Sequence, residues 1–235
     1  MIGKLYLIPT TLGETEPLDV MPISVKRVIE EIDYYIVENE KSARKFIKHI
    51  CPEKKQPSLH ILLLDKFVQE SDTRKYLDVC AQGINVGLLS EAGVPAIADP
   101  GASMVKLAHQ KNIQVVPLVG PSSILLAMMS SGFNGQNFAF NGYLPIDNNE
   151  RKSAIRELEK LSKDKNQSQI FIETPYRNQK MFSELVATLS PNTLVCIAAD
   201  ITLNSEFIKT LSVKEWKNQS IDLHKRPTIF IIQKE

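Results

Sequence analysis

The chain has 235 residues, 43% of them hydrophobic, and its 28 Lys and Arg against 27 Asp and Glu give a net charge of +1. This length fits one large domain or two small ones with a real core, and the composition excludes a disordered chain. The balanced charge is not that of a strongly basic nucleic-acid binder, so any binding to RNA must come from a local patch.

The beginning of the chain, MIGKLYLIPTT, carries one Lys and a short apolar run. It is neither a signal peptide nor a membrane span, because a span needs about 18 apolar residues. The three cysteines, Cys51, Cys80 and Cys196, are scattered and form no C-x-x-C pair. These features predict a protein of the reducing cytoplasm without a membrane contact.

Short apolar runs alternate with helical patterns along the first half of the chain. The predicted strands are Lys4–Ile8, Tyr34–Val37, Leu59–Leu64, Val86–Ser90 and Gln114–Leu118. Helices are predicted over Met21–Glu31, with Pro22 in the opening turn, and over Lys41–Ile50. Another helix follows Asp99, which can cap it, while Pro100 suits its first turn. The alternation predicts a parallel, doubly wound α/β sheet.

The pattern changes after Gly120-Pro121-Ser122-Ser123, which opens a predicted helix over Ile124–Ser131. Looser alternation beyond it predicts a second α/β domain with a mixed sheet. Its strands are Phe138–Tyr143, Gln169–Glu173, Thr193–Asp200 and Thr228–Ile232, separated by helices Arg151–Ser162 and Gln179–Leu189. The Pro117–Pro121 segment is the natural boundary, so we place the two domains at residues 1–118 and 119–235.

Several familiar motifs are missing from the sequence. No G-x-G is present, which excludes the dinucleotide fingerprint and the glycine-rich loop of Rossmann-type methyltransferases. The P-loop and the G-x-S-x-G elbow are also absent. The four histidines lie far apart without ligand spacing, so no metal site is predicted.

Four carboxylates directly follow predicted strands: Glu38, Glu91, Glu173 and Asp200. Open α/β sheets bind ligands at the carboxyl ends of their strands, so these groups could help form a cleft for a cationic or hydroxyl-bearing ligand. Each could instead cap the next helix. Ser122 and Ser123 present the same choice between capping a helix and binding an anion at its free N–H groups.

Five segments together resemble a known family. They are KLYLIPT at residues 4–10, LSEAGVPAIADPG at 89–101, VPLVGPSS at 116–123, FAFNGYLP at 138–145 and FIETPYR at 171–177. Each is weak alone, but in this order and spacing they resemble the tetrapyrrole-methylase-like (class III) S-adenosylmethionine-dependent methyltransferases. Within that family the chain is most similar to the bacterial branch that 2′-O-methylates small-subunit ribosomal RNA.

The resemblance implies a homodimer, two α/β domains and S-adenosylmethionine bound in the cleft between the domains. It also explains the missing G-x-G, because the family does not use the Rossmann loop. The cofactor-binding residues that it implies are Pro9, Ser90, Glu91, Ala92, Gly93, Ser122, Ser123, Tyr143, Leu144, Pro227 and Thr228.

The chain departs from the family mainly in substrate-side segments. The segment Val37–Lys41 keeps Glu38 but lacks the acid, threonine and arginine that the RNA enzymes carry after it, and the loop Leu12–Glu16 differs as well. The sequence therefore supports methyl transfer as the reaction more strongly than it supports ribosomal RNA as the methyl acceptor. The alternatives are a methyltransferase of a tetrapyrrole-like small molecule and a cofactor- or RNA-binding relative without catalysis.

A hydroxyl acceptor needs a base to remove its proton. The candidates for this catalytic role are Glu38 and Glu173, and those for binding substrate phosphate are Lys41, Arg44 and Arg177.

Overall fold

The computed structural model describes residues 2–64 and 73–235. The chain divides into two compact units, residues 1–122 and 123–235, whereas the sequence predicts a boundary after residue 118. Each unit contains one five-stranded sheet. No helix within the described ranges is long and apolar enough to cross a membrane.

The first unit contains a fully parallel sheet in the order β3-β2-β4-β1-β5. Its strands are β1 (Leu5–Ile8), β2 (Tyr34–Val37), β3 (His60–Leu63), β4 (Val86–Leu89) and β5 (Val115–Pro117). The connection from β1 to β2 and the connection from β4 to β5 run in opposite directions across the sheet, so right-handed crossovers put helices on both faces. The predicted doubly wound sheet is confirmed.

The helices of the first unit pack on the two faces of this sheet. Those within the described residues include α1 (Pro17–Val20), α2 (Ile23–Glu31), α3 (Glu40–Ile50) and α4 (Ala102–Gln110), with 3₁₀ turns at Gln56–Ser58 and Asp78–Gln82. Along β2, Tyr35 and Val37 pack with the core that includes α2 and α3, while Ile36 packs with the core that includes α4. Both faces of the sheet are therefore buried, as expected for parallel strands.

Two predicted helix starts in this unit were wrong in detail. Pro22 occupies the N-cap position of α2 and does not lie in its opening turn. Asp99 and Pro100 precede α4, whose N-cap is Gly101. Gly101 has φ +132°, and a Cβ built there would lie 2.9 Å from Leu88 Cδ2, so close packing against β4 fixes where the helix begins. Asp99 is therefore not a cap.

The second unit contains the predicted mixed sheet, in the order β6-β7-β10-β8-β9. Only the β6–β7 pair is parallel. The strands are β6 (Phe138–Tyr143), β7 (Ser168–Ile172), β8 (Leu194–Ala199), β9 (Phe207–Ser212) and β10 (Thr228–Gln233). The helices are α5 (Ser123–Ser131), α6 (Asn148–Lys165), α7 (Asn178–Thr188) and α8 (Val213–Trp216).

The main core of the second unit lies between the sheet and α6, α7 and α8. Phe230 and Ile232 alternate along β10 into this core, as a strand with one face toward the helices requires. Trp216 of α8 is 2% exposed, and its Nε1–H donates a 2.9 Å hydrogen bond to the Val195 carbonyl. This bond anchors α8 to β8.

Candidate active site

In the first unit, the loops that follow β1 and β4 are bonded to each other. The Thr10 N–H donates to the Gly93 carbonyl at 2.9 Å, and the Thr10 hydroxyl donates to the Ser90 carbonyl at 3.3 Å. The Ser90 hydroxyl also donates to the Gly93 carbonyl, at 3.1 Å. The predicted cofactor-binding loops at Pro9 and at 90–93 therefore come together at one edge of the sheet.

The loop after β5 packs against the same edge. A Cβ built on Gly120 would lie 2.3 Å from Pro9 Cγ, and one built on Gly93 would lie 3.3 Å from the Pro121 carbonyl oxygen. Gly93 also has φ +75°, which L side chains rarely adopt. Only small residues allow these loops to approach so closely.

The loop between β4 and α4 is held in a strained conformation. Ala96 and Ala98 have φ values of +67° and +62°, although neither is glycine. A left-handed non-glycine residue costs on the order of 1 kcal/mol and persists only where the surroundings impose it. Such strain is concentrated at functional sites, which supports the assignment of this edge as the site.

Glu38, Glu91 and Asp99 form an acidic cluster beside these loops. Glu38 follows β2, which pairs with β4, so it lies next to the loop that contains Glu91. The Ser42 hydroxyl donates to Glu91 Oε1 at 2.5 Å. No ion pair engages any of the three carboxylates within the described ranges.

Glu38 does not cap the helix that follows it. The N-cap of α3 is Asn39, whose side chain accepts hydrogen bonds from the Lys41 and Ser42 N–H groups. The Glu38 atom Oε1 is buried and has no hydrogen-bond partner among the described residues. The alternative that this carboxylate is a cap is therefore wrong, and one of its oxygens remains free for other chemistry.

The surroundings of Glu38 make its carboxyl group a weak acid. Burial, and then the negative charges of Asp99 and Glu91, raise its pKa from 4.5 to about 7, although a hydrogen bond from the Glu91 backbone N–H opposes this shift. Burial and Glu91 also raise the pKa of Asp99. A carboxylate with a pKa near neutrality is well matched to the role of general base.

The raised pKa predicts how Glu38 affects stability. Between pH about 4.5 and about 7 the folded chain holds this proton more tightly than the unfolded chain, so the free energy of unfolding falls as pH rises through that window. Glu38→Gln removes the titration. The variant should therefore unfold at a higher temperature than wild type at pH about 8 and at the same temperature near pH 4.5, as measured by circular dichroism. Glu31→Gln, at an exposed position, is the control, and an equal gain at both pH values would contradict the prediction.

In the second unit, the other predicted strand-end residues also lie along one edge of a sheet. Ile229 of β10 pairs with Ile172 of β7, and Thr228 pairs with Ala199 of β8. Glu173 and Asp200 directly follow Ile172 and Ala199, and Tyr143 pairs with Ile172 at the end of β6. These predicted residues are thus brought together within the second unit.

The two carboxylates of this edge are already engaged. Glu173 Oε1 accepts from the Thr174 N–H at 2.6 Å and pairs with Arg177 at 2.7 Å. Asp200 Oδ2 pairs with Arg226 Nε at 2.7 Å and accepts from the Ser205 hydroxyl. Neither caps a helix, since the N-cap of α7 is Arg177 and the element that follows Asp200 is the strand β9. Glu38 is therefore the better candidate for the base.

The remaining predicted cofactor residues of the second unit differ in exposure. Tyr143 is 58% exposed, whereas the Leu144 side chain belongs to the hydrophobic core. The Thr228 hydroxyl is buried and donates to the Arg226 carbonyl, while the Pro227 carbonyl accepts from the Asp200 N–H. The Leu144 side chain thus serves packing, whereas Tyr143 and Pro227 are exposed and accessible to a ligand.

The predicted substrate-binding cations are also distributed between the units. Lys41 is exposed on α3. Arg44 pairs with Glu40 at 2.7 Å and donates to the Gln56 carbonyl at 2.7 Å, while Arg177 is held by Glu173.

The sequence does not predict that Asp99 belongs to the acidic cluster. Residues 38 and 99 are far apart in the chain, and only the strand order, with β2 beside β4, brings them together.

The comparisons with known proteins decide the family. A profile of the tetrapyrrole (corrin/porphyrin) methylases matches residues 4–216. The chain belongs to the tetrapyrrole methylase family. It is a methyltransferase, and S-adenosylmethionine is its methyl donor.

Among curated relatives, this methylase is similar to proteins named ribosomal RNA small subunit methyltransferase I. The Bacillus subtilis protein is 31% identical over 221 residues, covering 93% of this chain and 71% of the relative. The Vibrio cholerae protein is 28% identical over 211 residues, covering 90% and 69%. The Halalkalibacterium halodurans protein is 29% identical over 204 residues, covering 87% and 66%. The chain thus spans about two thirds of the length of the last two.

Solved structures confirm the fold. The methyltransferase CobJ aligns with a TM-score of 0.64 at 15% identity, covering 98% of this chain and 94% of that one. The cobalt precorrin-4 methyltransferase CbiF aligns with a TM-score of 0.61 at 17% identity and the same coverage. Both confirm the predicted fold class.

The first unit of the methylase has residues that suit S-adenosylmethionine. This cofactor carries a sulfonium and an ammonium group, and the acidic cluster supplies three carboxylates that no described cation neutralises. The buried, unpartnered Glu38 oxygen shows that the cluster is not closed on itself. Within the described residues, no group of three or more metal-binding side chains lies close enough to hold a metal ion.

Proposed function

We propose that this methylase transfers a methyl group to a ribose 2′-hydroxyl of small-subunit ribosomal RNA, with Glu38 as the general base. The names of its curated relatives support the substrate class. The observation that carries the proposed chemistry is the buried Glu38 oxygen that lacks a partner, in a carboxyl group whose pKa is raised to about 7.

Bound S-adenosylmethionine supplies an electrophilic methyl group attached to a positively charged sulfur. Glu38 accepts the proton of the ribose hydroxyl as the hydroxyl oxygen forms its bond to that methyl carbon and the carbon–sulfur bond breaks. A positioned base of this kind contributes about 10²–10⁴-fold to a rate. The rigid loops at Pro9, Ser90–Gly93 and Gly120 align the reactants, which is the other requirement of an in-line displacement.

Each unit has its own set of proposed cofactor-binding residues. In the first unit they are Pro9, Ser90, Glu91, Ala92, Gly93 and Ser122, and the bonded strand-end loops support this set. In the second unit they are Ser123, Tyr143, Leu144, Pro227 and Thr228, and the location of the last four at the strand-end edge supports their inclusion. Lys41, Arg44 and Arg177 are the proposed phosphate-binding residues.

The proposal includes a homodimer in a reducing cytoplasm. All three cysteines are free and buried, which agrees with a reducing compartment. Sedimentation of the purified chain tests the dimer.

The test of the proposed function uses S-adenosylmethionine with a labelled methyl group and small ribosomal subunits that lack native methylation. We expect label in ribosomal RNA and, after digestion, a 2′-O-methylated nucleoside in the mass spectrum. A reduced tetrapyrrole is offered in parallel. Label in the tetrapyrrole alone would establish the small-molecule alternative, and calorimetric binding of the cofactor without any transfer would establish the non-catalytic alternative.

A further inference from the structure

The outer side of α3 carries a stripe of cations, here called the α3 basic face. Its members are Lys41, Arg44, Lys45, Lys48 and His49. The opposite side of the helix is buried through Ala43, Ile47 and Ile50, so packing fixes the direction in which the basic face points.

Carboxylates of the same unit occupy much of this face. Lys45 Nζ lies 2.7 Å from Glu14 Oε1, and His49 Nε2 lies 3.1 Å from Glu16 Oε1. Glu14 and Glu16 belong to the loop between β1 and α1, one of the segments in which the chain departs from its family. Lys41 makes no ion pair within the described ranges, and Lys48 donates to the Pro52 carbonyl.

These contacts are open to solvent. The side chains of Lys45 and Glu14 are 72% and 90% exposed, and those of His49 and Glu16 are 46% and 73% exposed. Exposed ion pairs of this kind contribute little to stability and are screened by salt. An anion with more charge than a carboxylate can therefore displace Glu14 and Glu16 at small cost.

We infer that the α3 basic face binds the phosphates of the RNA strand, and that Glu14 and Glu16 are internal competitors that the phosphates displace. This inference rests on the proposed function. A carboxylate oxygen against Lys45 stands where a phosphate oxygen would stand, because both are anionic acceptors for the same ammonium group.

The location of the face agrees with this assignment. α3 begins at Glu40, two residues after Glu38, and Lys45 lies about 7.5 Å further along the helix axis. A strand whose ribose reaches Glu38 can thus run along α3 with neighbouring phosphates on Lys41 and Lys45. Phosphate contacts of this kind fix the register of the strand, while the base acts at one ribose.

The test is a double-mutant cycle on the full chain, measured by fluorescence anisotropy with a labelled RNA hairpin. Glu14→Gln should tighten binding by about two- to fivefold, because Lys45 no longer has an internal partner. Lys45→Gln should weaken binding and lower the slope of log K against log salt by about 0.7 to 0.9. In the Lys45→Gln background, Glu14→Gln should have no further effect.

A matched control separates local competition from general charge repulsion. Glu53→Gln removes one exposed negative charge near the end of α3 and should leave affinity nearly unchanged. The inference is overturned if Glu53→Gln tightens binding as much as Glu14→Gln, or if Glu14→Gln still tightens binding without Lys45. Glu16→Gln with His49→Gln repeats the cycle at the second pair.

Methyl transfer to ribosomal subunits is measured separately. If wild type transfers no methyl group to ribosomal subunits, the proposed function is contradicted. If wild type is active but the effects of Glu14→Gln and Lys45→Gln on RNA affinity are additive, only the α3 assignment is contradicted. Tight binding of an acidic peptide that RNA does not displace would assign the face to a protein partner and overturn the inference.

Discussion

Replacing Glu38 by Gln is expected to lower kcat for methyl transfer by about 10²–10⁴-fold, the usual contribution of a positioned base. Gln preserves the size of the side chain but cannot accept the proton. Because Glu38 must be ionised to act, the wild-type rate should rise with pH and level off above about 7. Single-turnover methyl transfer measured across pH 5 to about 9 tests both statements.

Cofactor binding provides the control for this variant. S-adenosylmethionine should still bind to Glu38→Gln in a calorimeter, since Glu91 and Asp99 of the acidic cluster remain and the bonded loops at Pro9 and Gly93 do not depend on that carboxylate. Glu173→Gln should lose far less activity, because Glu173 is already bound to Arg177 and the Thr174 N–H. Unchanged turnover in both variants would refute a carboxylate base at either position.

The second large effect is expected at Arg151, at the start of α6. Its side chain is 3% exposed and all five of its N–H donors have acceptors: both Glu184 oxygens, the Pro145 and Ile146 carbonyls and Asn148 Oδ1. Arg151→Met leaves the Glu184 carboxylate, whose side chain is only 13% exposed, without its partner. We expect the second unit to lose about 3–5 kcal/mol of unfolding free energy, measured by urea denaturation.

Two further variants show whether charge or volume is responsible. Arg156→Met, on an exposed position of the same helix, should change stability by less than about 0.5 kcal/mol. Combining Arg151→Met with Glu184→Leu should restore much of the loss, since a buried ion pair can often be replaced by apolar side chains. If the double variant were as unstable as Arg151→Met, the backbone contacts of Arg151 would be the main contribution.

The regular parts of the fold could be predicted from the sequence because their signals are local. β2 and β6 were predicted with their exact bounds. β2 is a largely buried apolar run flanked by polar residues, whereas β6 is an edge strand without a buried residue. β9 was not predicted. All of its residues are partly buried at the edge of the sheet, so the strand does not alternate between a buried and an exposed face. The short helices α1 and α8, each one turn long, have no amphipathic period to detect.

The site was predictable in its parts but not in its chemistry. The position of Glu38 at the end of a strand was visible, while its raised pKa depends on burial and then on the charge of Asp99, sixty-one residues later in the chain. The pairing of Glu14 with Lys45 was equally hidden, because it depends on how the loop after β1 lies against α3. The role of Asp99 was misassigned to capping because the left-handed turn at Gly101 has no reliable sequence signal.

The strand orders have a consequence for synthesis on the ribosome. In the first sheet β4 lies between β2 and β1, and in the second sheet β10 lies between β7 and β8. Each sheet therefore receives a central strand late, after its neighbours have emerged with unpaired backbone edges. Such edges are prone to pair with other chains, so the nascent protein depends on protection until those strands arrive. Loss of β10 alone would remove one of the two pairing partners of both β7 and β8.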